Sequence, residues 1–111
     1  MPCPFALDYL AWILSTCSDV SFRNGPRGVE LAQQAVRFSG GKNPSFIRTL
    51  AAAYAETGRF NNAIEMVSRA LQLANAQHNT ALANKLQQDV DLYRMGFPLR
   101  EHGLTNTHAV P

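Results

Sequence analysis

The side chains able to do chemistry in this 111-residue chain are few: three histidines, two cysteines and eight carboxylates. A metal centre needs His, Cys, Asp or Glu at ligand spacing. His78, His102 and His108 lie far apart along the chain, and neither H-E-x-x-H nor C-x-x-C occurs. Cys3 and Cys17 could close one disulfide, but nothing marks a secreted scaffold, so they read as a terminal thiol and a small core residue. Ser15, Ser18 and Ser21 lie in no nucleophile elbow. "SGGK" at Ser39–Lys42 has the glycines and lysine of a phosphate loop without its spacing, and follows a helix where a strand is required. Its glycines read as a helix stop. Glu30, Glu56 and Glu65 occupy solvated helix positions, with no pair set for acid–base work. The expectation is a protein without catalytic activity, metal or cofactor.

Charge and hydropathy remove further classes. The net charge is +2, with no cluster of Lys and Arg, so neither nucleic acid nor an anionic membrane is expected as partner. No window reaches the roughly 18 consecutive apolar residues of a membrane span. "FALDYLAWILSTC" has the look of a leader, and "LSTC" of a lipoprotein cleavage box at Cys17. No basic residue precedes the run, however, and Asp8 interrupts it, which favours an amphipathic helix and a cytoplasmic chain.

Five helical segments must position whatever surface does the work. The first runs from Phe5 to about Cys17, with Leu7, Leu10, Trp12, Ile13 and Leu14 spread around most of the cylinder. "SDVSFRNGPRG" is a loop by composition. The second helix starts near Pro26 and ends near Ser39, carrying Val29, Leu31, Ala32, Ala35 and Val36. Gly40 stops it and Pro44 opens the next. The third helix covers Ser45–Thr57, the fourth Asn61–Gln77 and the fifth Asn79–Met95, ended by Gly96 and Pro98. Residues 102–111 lack periodicity and read as a flexible tail. Nothing alternates over strand length, so no sheet is expected.

"TLAAAYAETGRFNNAIEMVSRAL", Thr49–Leu71, holds the most information. Gly58 allows a sharp reversal because glycine tolerates the left-handed region, and a short connection makes two helices antiparallel neighbours. Ala51, Ala55, Ala63 and Ala70 let the axes approach, while Ile47, Leu50, Tyr54, Phe60, Val67 and Leu71 fill the remaining space.

Counted from Pro44, this order of sizes resembles the tetratricopeptide repeat (TPR), a pair of antiparallel helices about 34 residues long. Ile47, Leu50, Ala51 and Tyr54 fall at first-helix positions, Gly58 and Phe60 at the turn, and Ala63, Val67, Ala70 and Leu71 on the second helix. Asn75 stands where proline is usual. Residues 5–39 look like a second, degenerate copy. Leu7, Leu10, Ala11 and Leu14 match one helix, and Gly28, Ala32, Ala35 and Val36 the other, with an insertion "SDVSFRN" between them. Ala35 and Ala70 are 35 positions apart, near one repeat period. The fifth helix, with Leu82, Leu86, Val90 and Tyr93 in one stripe, looks like a terminal cap. The stretches "LAWILSTC", "TLAAAYAETGRF" and "DLYRMGFPLRE" also resemble the C-terminal end of long bacterial TPR proteins.

The resemblance implies an all-α TPR-like domain over residues 1–101: repeat one at 5–39, repeat two at 44–77 and a capping helix at 79–95. It implies a non-catalytic protein–protein interaction module that binds a peptide or partner protein through a concave groove. Position by position, the groove candidates are Asp8, Trp12, Ser15 and Thr16, then Ser45, Arg48, Ala52 and Glu56. The Lys and Asn clamp for a terminal carboxylate is missing from these positions. Trp12 has two readings, packing against the second helix or an aromatic anchor for a partner. The alternative role is structural, as the C-terminal cap or self-association module of a longer repeat protein. A first helix apolar on most sides invites burial on more than one, so Phe5, Tyr9 and Ile13 are candidates for homodimer contacts.

Overall fold

The computed structural model describes residues 3–100; the tail expected at 102–111 lies outside them. Every regular element among the described residues is helical: α1 Pro4–Thr16, α2 Gly25–Phe38, α3 Pro44–Glu56, α4 Phe60–Ala76 and α5 Thr80–Arg94, with a single 3-10 turn at Val20–Phe22. All five α-helices lie within a residue or two of the expected bounds.

The helix ends follow from side chains and backbone. Asn24, Asn43 and Asn79 accept backbone N–H bonds at the starts of α2, α3 and α5, satisfying donors that a helix start leaves free. Gly58 has φ +85°. Its N–H bonds to Ala55 O, and Arg59 N–H bonds to Tyr54 O, the pairing that closes a helix through a left-handed residue. α4 ends the same way with His78 at φ +57°; His78 N–H bonds to Asn75 O and Asn79 N–H to Ala74 O. The N–H groups of Gly40 and Gly41 bond to Arg37 O and Val36 O. The Ser39, Gly40 and Gly41 amides therefore close α2 and are not free for a phosphate.

α1 packs chiefly on α2, α3 on α4, and α5 on α4, while α3 also meets both α1 and α2. One apolar cluster joins α3, α4 and α5 through Ile47, Ala51, Ala55, Ala63, Val67, Ala70, Leu86, Val90 and Tyr93. A second joins α1, α2 and α3 through Ala11, Leu31, Ala32 and Leu50. Small residues set the closest approaches: Ala11, Ala32, Ala35, Ala63 and Ala70 are fully buried. At Gly28 even a methyl group would stand 2.5 Å from Ser15 Oγ, so α1 and α2 touch almost backbone to backbone there. Ser15 and Thr16 are completely buried, while Phe5 and Tyr9 are mostly exposed.

Candidate functional site

α1, α3 and α5 share a cleft of about 250 Å³, lined by Asp8, Tyr9 and Trp12, then Ser45, Arg48 and Thr49, then Leu82 and Lys85. Helical spacing accounts for the placement. Asp8 and Trp12 are four apart, as are Ser45 and Thr49, so each pair shares one helix face.

Arg48 is the fixed centre. Its Nε donates to Asp89 Oδ2 at 2.7 Å and its Nη2 to Oδ1 at 3.3 Å, a two-pronged pair. The guanidinium also stacks over the Trp12 ring, 4.8 Å from the centroid, a cation–π contact. Asp89 is 3% exposed. Burial raises its carboxyl above the ordinary value, opposed by the hydrogen bond and charge of Arg48 and then by Lys85. Below it, the buried Tyr93 hydroxyl has no hydrogen-bond partner; burial, then the Asp89 charge, pushes its ionisation upward.

Asp8 is placed differently. Its Oδ1 is buried without a hydrogen-bond partner. Burial raises its carboxyl, with a hydrogen bond from Thr49 opposing. Lys85 stands exposed on the α5 side. Within the cleft, Arg48 and Asp89 cancel, leaving one carboxylate on α1 and one ammonium on α5.

Of the eight groove candidates, the structure brings Asp8, Trp12, Ser45 and Arg48 together. Ser15, Thr16 and Ala52 are buried to within 1% of full enclosure, so they present no side chain to a partner. Ser15 sits in the tight α1–α2 crossing against Gly28, where small size decides burial and polarity does not. The Thr16 hydroxyl donates to Trp12 O at 2.7 Å. Glu56 pairs instead with Arg23 at 3.6 Å and Arg100 at 2.7 Å, tying the α1–α2 loop and the segment after α5 to the end of α3. Among the self-association candidates, Phe5 is 69% and Tyr9 60% exposed, while Ile13 is half-buried. Tyr9 also lines the cleft, and the Phe5 ring meets Phe46 edge-on at 5.3 Å.

Thr49, Leu82, Lys85 and Asp89 were not among the sequence candidates. The signal for them was Asp89 itself, an acid beside Val90 in the inward stripe of a helix taken only as a cap. Trp12 lies under the Arg48 guanidinium of α3 and lines the cleft.

Among the described residues no cluster of His, Cys, Asp or Glu could hold a metal, and no helix is long and apolar enough to cross a membrane. An all-helical domain with a three-helix cleft is the class these features define. No protein-family model, curated protein or solved structure matches the chain.

Proposed function

We propose that the chain is a non-catalytic interaction module, built as two TPR-like helix pairs with α5 as a cap, which binds a peptide segment of a partner protein in the α1–α3–α5 cleft. The observation that carries this is the convergence of three alternate helices on one cleft; in a helical-pair array the first helices of successive pairs share a concave side. The matched positions support the repeat: Ala35 and Ala70, Ala32 and Val67, and Ala11 and Ala51 are all fully buried. Two unpaired cysteines go with a cytoplasmic setting. A second reading, as a self-association module or the cap of a longer repeat protein, rests on the exposed Phe5, Tyr9 and Leu10 patch of α1.

Trp12 is the chain's single tryptophan and reports directly on the cleft. Random peptides displayed on phage are selected against the protein, and the enriched ones are titrated against Trp12 emission. Enriched peptides are expected to shift that emission and to bind a Trp12→Leu variant more weakly. Peptides that leave Trp12 emission unchanged, or a selection that enriches none above a control helical protein, would refute the proposal.

A further inference from the structure

Gly96–Arg100 does more than end α5. Gly96 takes φ +81°. Its N–H bonds to Tyr93 O and that of Phe97 to Leu92 O, so the helix closes through a left-handed residue and the chain turns back. Pro98 has no N–H with which to resume a helix. Two side chains then join this strap to the body. Leu99 packs against the α3–α4–α5 cluster, and Arg100 reaches Glu56 at the end of α3, Nη1 to Oε1 2.7 Å.

The Arg100 contact is short but imperfect. Glu56 Oε1 is buried and accepts no hydrogen bond among the described residues. The Arg100 Nη1 beside it donates instead to Leu99 O of its own strap, at 3.1 Å. The charges meet while the donor points elsewhere, and a buried carboxylate oxygen without a donor is costly. Arg23 does not supply one. It lies 3.6 Å from the other oxygen, Oε2, and its Nη1 is committed to Cys17 O and Ser18 O. The strap thus holds the place of a better-aligned arginine. Ser45 and Glu56 are eleven residues apart on α3, about three turns, so the strap crosses the far end of the helix face that carries the cleft.

We infer that this end of α3 is a docking site for an extended partner segment carrying leucine followed by arginine, which the chain's own Leu99 and Arg100 fill in cis. The partner's leucine takes the place of Leu99 on the cluster, and its guanidinium, free of the strap's tether, donates to Glu56 Oε1. A short tether presents the strap at an effective concentration on the order of mM, so the site stays closed until a stronger segment displaces it. Glu56 is eight residues beyond Arg48, about 12 Å along the helix. The site is therefore separate from the cleft and does not rest on the cleft's peptide.

The probe is the amidated hexapeptide MGFPLR, the sequence of residues 95–100, labelled with fluorescein at its amine and followed by anisotropy. The full chain with its strap opened, Leu99→Asp with Arg100→Glu, is expected to bind it at least about tenfold more tightly than wild type does. Replacing the peptide's arginine by norleucine, or adding Glu56→Gln to the opened chain, should remove that binding. Helix content by circular dichroism is the folding control. If Leu99→Asp unfolds the chain, Arg100→Ala alone, at a partly exposed position, is read instead and should bind at least about threefold more tightly than wild type. The inference is overturned if wild type binds the peptide as tightly as the opened chain, if the opened chain binds none, or if the norleucine peptide binds equally well. Each of these results leaves the Trp12 emission test of the cleft standing.

Discussion

Removing the Arg48 guanidinium should destabilise the fold by an amount that depends on pH. In an Arg48→Met variant the stem stays and Asp89 loses its only hydrogen-bond donors among the described residues, with its side chain 3% exposed. Breaking a buried ion pair from one side typically costs about 3–5 kcal/mol. The Arg48 side chain is itself 18% exposed, so water reaches the gap and the low end, about 3 kcal/mol, is expected. For a domain of this size that is a fall in Tm on the order of 15 °C. The sign with pH is fixed by Asp89. Its carboxyl is raised by burial and held down chiefly by Arg48, so loss of Arg48 raises it further. A carboxyl raised in the fold contributes stability below its unfolded value, near 3.8, and loses it as pH climbs through the folded value. The variant's deficit should therefore be full near pH 7 and shrink towards about pH 3.5, where Asp89 is mostly protonated in both states. Urea unfolding followed by circular dichroism at the two pH values measures it. Adding Asp89→Leu should recover most of the loss at neutral pH, because a well-packed apolar replacement of a buried pair is often neutral or better. A cost below about 1 kcal/mol, or one equal at both pH values, would show that Asp89 does not depend on Arg48.

Three further predictions test the frame around the cleft. Ala63 is fully buried where α3 and α4 meet, so Ala63→Leu should cost about 1–3 kcal/mol in urea unfolding, while Gln72→Leu at an exposed site stays within about 0.5 kcal/mol. His78 holds φ +57° at the position that closes α4, so His78→Gly should raise the free energy of urea unfolding by about 0.5–1 kcal/mol; a lower value would mean that its side chain contributes there. The exposed Phe5, Tyr9 and Leu10 of α1 should pair two copies of the chain; sedimentation equilibrium is expected to show a dimer that Phe5→Glu with Tyr9→Glu converts to monomer, and a wild-type monomer would refute it.

The helices were legible because their apolar spacing, asparagine and proline starts and glycine stops all agree. Gly58 could be read as a reversal from the sequence alone, since few other residues take its φ. His78 shows the limit: nothing marks a histidine as a left-handed residue until its neighbours' hydrogen bonds impose it. The site was half legible. Asp8, Trp12, Ser45 and Arg48 followed from resemblance to a known pattern of positions. Ser15 and Thr16 did not, because α1 is apolar on most sides and its periodicity names no inner face. What chose the face was Gly28 on another helix, which admits only a small side chain opposite. The α5 wall was missed for a similar reason: a helix assigned to cover a core was not asked what its rim residues meet across the cleft.

α1 and α5 differ in what they leave uncovered, and this constrains the partners available to each. α5 exposes Lys85, Gln87, Gln88 and Asp91, a surface suited to solvent. α1 exposes Phe5, Tyr9 and Leu10, and its only charged residue, Asp8, is turned into the cleft. Stacking α1 of one copy on α5 of another would set apolar side chains against amides and charges. Pairing α1 with α1 would set apolar on apolar with no repelling charge between them, which is the self-complementary arrangement that a two-fold axis generates. A further helix of a longer chain would cover the same patch and exclude that pairing. Tyr9 belongs to both the patch and the cleft, so whatever covers α1 also bounds one wall of that cleft. Coverage of the α1 face and occupancy of the cleft should therefore be coupled through Tyr9.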